Sequence, residues 1–188
     1  MSEPAPAALP ALETPRLRLR EVRDSDAAAL FTLHGDARVM RYWSSSVWTD
    51  PAQAQELLQR LRRDRAAGAM PWAIATREGD VLIGTVTLFN INHTHRRAEI
   101  GYALGSAHWG RGLASEALRA VLHHAFDAMR LVRVEADTDP RNESSLRMLT
   151  RLGFQREGLL RRRWFVADEW CDSAWLGLLR EDFAQKSA

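Results

Sequence analysis

The 188 residues contain a single cysteine, Cys171. No intramolecular disulfide can form and no thiol cluster is available for zinc, so a reducing cytoplasm is the expected compartment. Lysine is nearly missing too, with Lys186 standing alone among arginines. An excess of charge of one sign is also lacking: 26 basic residues face 24 acidic ones, a formal net charge of +2 that calls for no polyanionic partner. No apolar run approaches the roughly 20 residues of a bilayer span. The opening MSEPAPAALPAL has no basic n-region and is interrupted by Pro4, Pro6 and Pro10, so neither a signal peptide nor a membrane anchor is expected. Residues 1–13 read as a disordered Ala/Pro tail, ahead of one domain over 14–183. Repeats and interdomain linkers are absent, as are the two familiar phosphate loops, G-x-x-x-x-G-K-[ST] and G-x-G-x-x-G.

What is present is an alternation of strands and helices. RLRLREV (16–22) has the period of a half-buried strand, and RDSDAAALFTLHGD carries Asp24 or Ser25 where a helix cap belongs. TDPAQAQELLQRLRRDRAAG offers Asp50 as N-cap, Pro51 at the first helical position and Gly68 as a stop. RVMRYWSSSVW, between these helices, shows no regular period and reads as an aromatic loop. WAIATR (72–77), VLIGTVTLFN (81–90) and RAEIGYAL (97–104) read as strands, followed by a helix over about 112–129 and the strand VRVEADT (132–138). A helix from near Asn142 to Gly153 and two last strands, FQREGLLRRRWF and DSAWLGLL, complete the chain. The class is α/β with a mixed sheet. EGD joins neighbours that must run antiparallel, whereas a strand–helix–strand crossover favours a parallel pair.

One junction stands out. HWGRGLASEALRAVLHHAF (108–126) places Gly110 and Gly112 immediately before a regular helix. A helix start presents unpaired N–H groups and the positive end of the macrodipole, and glycines let an anion approach them closely. With Arg111 at hand, a pyrophosphate is the natural occupant, although two glycines alone serve equally as a turn and cap.

The order of AEIGYAL, HWGRGLASEAL and VEADTDPRNESSLRMLTRLGF resembles the Gcn5-related N-acetyltransferase (GNAT) superfamily, in its RimJ/RimL-type branch. The resemblance runs from about Thr14 to Phe183. It rests on the loop Trp109-Gly110-Arg111-Gly112-Leu113-Ala114 and on Asn142 with Ser145, closed by Leu152-Gly153-Phe154. It implies a mostly antiparallel mixed sheet with flanking helices, in which the Glu99 strand splays from the strand after the long helix. Acetyl-CoA would lie in that gap as acetyl donor, without a metal. Its pantetheine would pair with backbone at Ala103 and Leu104, its pyrophosphate would sit on the amides of Gly110, Arg111, Gly112, Leu113, Ala114 and Ser115, and Asn142 would hold the arm from the other wall. Trp109 departs from the arginine or glutamine usual at its position.

Acetyl transfer to an amine needs a neutral nucleophile, a polarised carbonyl and a donor for the departing thiolate. Glu99 is the candidate base, directly or through water; the competing reading pairs it with Arg97 or Arg133. Backbone N–H near Leu104 suits the carbonyl. Many members of the superfamily carry a tyrosine on the helix after the asparagine, where this chain has Leu149, which leaves Ser145 as the nearest hydroxyl to the sulfur. Cys171 as a nucleophile, the imidazoles of NHTH (92–95) as metal ligands and RRRW (161–164) as a nucleic-acid contact are weaker readings than packing, turn and strand-end roles.

Trp43 and Trp48, with Tyr102 and Trp164, are expected to border the acceptor. The expected partners are acetyl-CoA and an amine, most simply a protein or peptide N-terminus, acting on a monomer or homodimer with no membrane or nucleic acid involved. A small-molecule amine acetyltransferase and a non-catalytic acyl-CoA-binding module are the alternatives.

Overall fold

A computed structural model describes residues 9–187. Eight strands form one sheet: β1 (Leu12–Glu13), β2 (Leu17–Glu21), β3 (Met70–Thr76), β4 (Leu82–Asn92), β5 (Arg97–Leu104), β6 (Arg133–Thr138), β7 (Gln155–Val166) and β8 (Glu169–Leu179), in the spatial order β1-β2-β3-β4-β5-β6-β8-β7. Every neighbouring pair is antiparallel except β5–β6, which is parallel. That exception follows from the helical crossover between those two strands.

Among the described residues, six α-helices flank the sheet: α1 (Ala27–Gly35), α2 (Ala37–Met40), α3 (Ala52–Ala66), α4 (Leu113–His123), α5 (Glu143–Leu152) and α6 (Arg180–Ser187). Leu113, Ala117, Leu118, Val121 and Leu122 make the buried stripe of α4 and pack, with Leu149 and Leu152 of α5, on Trp72, Ile74, Val86, Leu88 and Ile100. The opposite face is covered by α1 and α3, through Leu30, Leu57 and Leu58 on Ala73 and Leu82. Adjacent residues such as Trp72 and Ala73 therefore enter different cores, and the interior of β3 is buried without alternation.

Three expected boundaries move. RVMRYWSSSVW is not wholly irregular, because Ala37–Met40 form a single turn started by Asp36, whose side chain accepts from the Arg38 amide. Four residues are too few to show a period. The helix expected over 112–129 is α-helical to His123 and then widens to a π-turn over His124–Ala128. Ordered structure also begins before Thr14. Leu12–Glu13 pair with Leu19 and Arg18, and the Pro10 carbonyl accepts from Trp72 Nε1 at 2.8 Å, while residues 1–8 of the expected tail lie outside the described residues.

Helix ends follow local chemistry. Asp50 Oδ1 accepts the Ala52 amide at 2.8 Å beside Pro51, and Asn142 Oδ1 accepts the Ser145 amide at 3.2 Å. Neither Asp24 nor Ser25 caps the first helix. Asp26 does the local work, taking the Arg23 amide while bridged to buried Arg20 at 2.8 Å. Among the described residues no helix is long and apolar enough to cross a membrane.

Candidate active site

The parallel pairing of β5 and β6 lasts three residues, Arg97 on Arg133, Ala98 on Val134 and Glu99 on Glu135. Beyond it β5 runs on to Leu104 and β6 to Thr138 with no pairing between them, so the sheet forks at Glu99. A cleft of about 620 Å³ opens at the fork, and its walls include Glu99, Tyr102, Asp137, Thr138, Asn142 and Ser145.

Strand alternation sorts these side chains. Ala98 and Ile100 enter the core under α4, with Tyr102 packed against it, whereas Glu99 and Gly101 point to the opposite side. Tyr102 therefore reaches towards α5, where its hydroxyl lies 2.6 Å from Ser145 Oγ. Thr138 Oγ1 approaches the same oxygen at 3.3 Å from β6. Three hydroxyls thus close the gap where backbone pairing has stopped. Burial pushes the Tyr102 phenol up to about 12, with the Ser145 hydrogen bond opposing the rise, so it stays protonated at neutral pH. Leu149 is fully buried in the core and cannot take part.

Glu99 is half-buried and bonded neither to Arg97 nor to Arg133. Both arginines are engaged by Glu135, at 2.8 and 2.9 Å, and Arg133 also holds Glu157. The partner of Glu99 is Asn90, whose Nδ2 donates to Glu99 Oε1 at 2.9 Å. Asn90 sits at a break in β4–β5 register between Phe89 and Asn92, with φ of 49°. A bulge with one residue in the left-handed region re-aims a side chain in this way, and asparagine tolerates that conformation better than most residues. The sequence reading missed Asn90; the only trace was an asparagine near the end of a long strand.

Asp137, also missed, faces the cleft from β6. Trp164 and Ser173 hydrogen-bond it, and burial pushes its carboxyl above the ordinary range; the Trp164 bond and Arg163 restrain the shift, and the Glu99 charge adds to it. Trp164 lines this cleft from β7, and Trp43 lines it from the loop after α2. Trp48 is placed differently, stacked on His34 with ring centres 4.3 Å apart and packed against the α1–α3 core.

The expected donor contacts divide in the same way. Gly110 and Gly112 both have φ of 74°, which an L side chain resists, and Gly112 stands directly before α4. The first helical bond runs from the Glu116 amide to the Gly112 carbonyl, so the amides of Leu113, Ala114 and Ser115 have no partner one turn back. Arg16 braces this loop, donating to the Arg111 carbonyl at 2.9 Å while paired with Glu116 at 2.6 Å. Trp109, 48% exposed, donates its indole N–H to the Leu104 carbonyl at 2.7 Å and ties the loop to the end of β5. The Gly105 amide donates to Ile83, which fixes the ladder: Ala103 turns its backbone groups to β4, and Tyr102 and Leu104 turn theirs to the fork. The expectation that Ala103 presents backbone to a ligand is corrected accordingly. Asn142 caps α5 at the fork, and Cys171 receives a hydrogen bond from Arg141 at 3.3 Å. In NHTH, Asn92 Oδ1 accepts the His95 amide in the β4–β5 turn.

A forked sheet, a glycine cradle at a helix start and a carboxylate at the fork define an acyl-transfer fold. The sequence profile of the acetyltransferase (GNAT) domain matches residues 16–155, and the chain belongs to that family of N-acetyltransferases, which transfer acetyl from acetyl-CoA to amines. The uncharacterized N-acetyltransferase p20 of Bacillus licheniformis is 36% identical over 174 residues, 92% of this chain and 98% of that protein. The spermidine N(1)-acetyltransferase of Escherichia coli K12 is 27% identical over 150 residues, 80% and 78% of the two chains. The solved structure of Mycobacterium smegmatis RimJ in complex with CoA-disulfide superposes with a TM-score of 0.82 at 28% identity, covering 96% of this chain and 93% of that one.

Proposed function

We propose that this enzyme acetylates the primary amine of a protein or peptide N-terminus, by direct attack within a ternary complex. The observation that carries the reading is the fork at Glu99: one carboxylate on one face of β5, and a protonated Tyr102–Ser145 pair reached from the other. Bound acetyl-CoA supplies an activated acetyl group. The backbone of Tyr102 and Leu104 would hold its arm as an added strand would. The amides from Gly110 to Ser115 with Arg111 would take its diphosphate, and Asn142 would face it from α5.

Glu99 accepts a proton from the incoming ammonium, directly or through water, while Asn90 fixes the orientation of its carboxylate. The Leu104 amide faces the fork, where a developing oxyanion needs a donor. Tyr102 and Ser145 donate hydrogen bonds to the departing sulfur; a phenol held near 12 stabilises a thiolate better than it surrenders a proton to it. The Trp43 and Trp164 rings in the cleft favour a peptide acceptor over a polycation, and the likeness to a putative ribosomal-protein-serine acetyltransferase from Vibrio cholerae, with a TM-score of 0.75 at 26% identity, supports the same reading.

A thiol-release screen with acetyl-CoA decides it, using peptides beginning Ser, Ala, Thr and Met beside spermidine and simple amines. Faster turnover of at least one peptide is the expected result. Turnover confined to small amines favours the second reading, which the likeness to a spermidine acetyltransferase supports. Binding of CoA without turnover of any amine would leave a non-catalytic module.

A further inference from the structure

Strand alternation puts Asp137 on the same face of the sheet as Glu99. Ala98 and Val134 are register partners that both enter the core, and Ala136 follows Val134 into it, so Glu99, Glu135 and Asp137 point to the other side. Asp137 stands one diagonal step beyond the Glu99–Glu135 pair, on the opposite arm of the fork. Both side chains line the cleft. Burial raises the Asp137 carboxyl and the Glu99 charge adds to the rise, so the two lie within electrostatic reach of each other.

Neither carboxylate is matched by a cation. Among the described residues Glu99 bonds to the neutral amide of Asn90 at 2.9 Å, Asp137 to the Ser173 hydroxyl and the Trp164 indole, and neither makes an ion pair. The neighbouring acids differ. Glu135 holds Arg97 and Arg133, Glu157 also holds Arg133, and Asp139 and Glu169 share Arg141, while Asp172 accepts the Arg162 amide at 2.8 Å. The other two arginines of the cleft wall lie over rings, Arg41 over Tyr42 at 5.1 Å and Arg163 over Trp164 at 5.2 Å, and the Arg163 charge restrains Asp137 without pairing with it. Two half-buried anions facing one cleft without a counter-ion are unfavourable, and a ligand that brings a cation between them relieves the cost.

We propose that Asp137 is a second acceptor-binding residue, which holds the incoming ammonium together with Glu99 and selects acceptors that are positively charged at the reacting nitrogen. The assignment rests on the acetyl-transfer reading above and adds how the amine is recognised. The two roles follow from the protons on nitrogen. An alkylammonium of the form R-NH₃⁺ offers three donors. One N–H bond breaks as its proton passes to Glu99 and leaves the lone pair that attacks the thioester; a second N–H donates to Asp137, which takes no proton and fixes the direction of that lone pair. Tyr102 and Ser145 act from the other face, so the amine and the departing sulfur meet different groups.

Calorimetry on the full chain with saturating CoA tests this with two matched pairs: an alanyl peptide beside the same peptide begun with lactate, and phenethylamine beside 2-phenylethanol. Acetyl transfer to both amines is measured alongside. The wild-type chain should bind at least one amine about tenfold more tightly than its alcohol, the worth of a hydrogen bond to a charged group. Asp137→Asn should weaken that amine by about tenfold and leave its alcohol within about twofold. In turnover it should raise KM by a similar factor and lower kcat much less than Glu99→Gln does. Equal binding of amine and alcohol in both pairs by the wild type overturns the proposal, as does an Asp137→Asn protein that keeps the full preference. So does a variant that loses kcat with KM unchanged, which would make Asp137 the base. If Asp137→Asn does not fold, Glu99→Gln decides: its preference for the amine should persist, and its disappearance overturns the proposal. An Asp137-dependent preference without acetyl transfer supports the anchor and removes the transfer reading. Acetyl transfer without such a preference removes the anchor alone.

Discussion

The hydroxyls of Tyr102 and Ser145 are 2.6 Å apart, joining β5 to the first turn of α5 across the fork where the sheet has lost its backbone pairing. The pair sets a phenol from a β-strand against the start of α5, the helix whose position 149 is a buried leucine. If both hydroxyls serve one developing thiolate, their effects must overlap. Tyr102→Phe and Ser145→Ala should each lower kcat about tenfold, and the double variant should lose far less than the product of the two. Steady-state kinetics on the four proteins decides. Each change also removes one partner of a half-buried hydrogen bond, about 1 kcal/mol of stability, which denaturant melts would register.

Glu99→Gln should cut kcat by roughly 100- to 10,000-fold, the range of a lost general base, with CoA affinity unchanged. Asn90→Ala should give a smaller loss of kcat and a shifted pH profile, because it frees the carboxylate without removing it. Arg97→Ala should leave kcat within about twofold, since Arg97 pairs with Glu135. A large kcat loss in Arg97→Ala would contradict the separation of these two carboxylates.

Gly112→Ala places a side chain at φ of 74°, costing about 1 kcal/mol where α4 begins. CoA affinity measured by calorimetry should fall about tenfold or more. Arg111→Ala should weaken CoA by a similar factor and flatten the salt dependence of binding. An unchanged CoA affinity in both variants would remove the diphosphate from this loop.

His34 is neutral when folded, because burial, with the Arg60 charge adding repulsion, lowers its imidazole to about 4 from an ordinary 6.5. The unfolded chain therefore binds a proton that the folded chain refuses between those values, and stability is lost as pH falls from about 6.5 to 4. The loss is about 3 kcal/mol if the full shift is realised. His124 is lowered by burial and slopes the same way, so the readout is the difference between wild type and His34→Gln. Denaturant melts at pH 7 and pH 4.5 should show a shallower acid loss in the variant.

Much of the local geometry of the candidate site was legible from the sequence. Gly110, Gly112, Asn142 and Gly153 declare themselves because each meets a local backbone demand: left-handed φ at three of them and an N-cap at Asn142. Tyr102 was legible as a candidate residue of the cleft, but not as a partner of Ser145, because 43 residues separate them. Asn90 and Asp137 were invisible for a related reason: a bulge and a strand fork give each its direction, and neither leaves a periodic mark. Ala103 was misplaced because composition does not reveal ladder phase, which the bond from Gly105 to Ile83 sets.

The sequence by itself determined the order of the main strands and helices, the parallel crossover and the glycine cradle, since these depend on side-chain period and on backbone torsions a few residues long; the short elements β1 and α2 and the last helix, α6, were not read from it. Only the tertiary structure decided which carboxylate pairs with which arginine, which hydroxyls meet at the fork, and that Asp137 shares a face with Glu99. Those outcomes depend on register and on approach between distant segments. Register is fixed when two faces of a sheet are buried together, and no single segment carries that information.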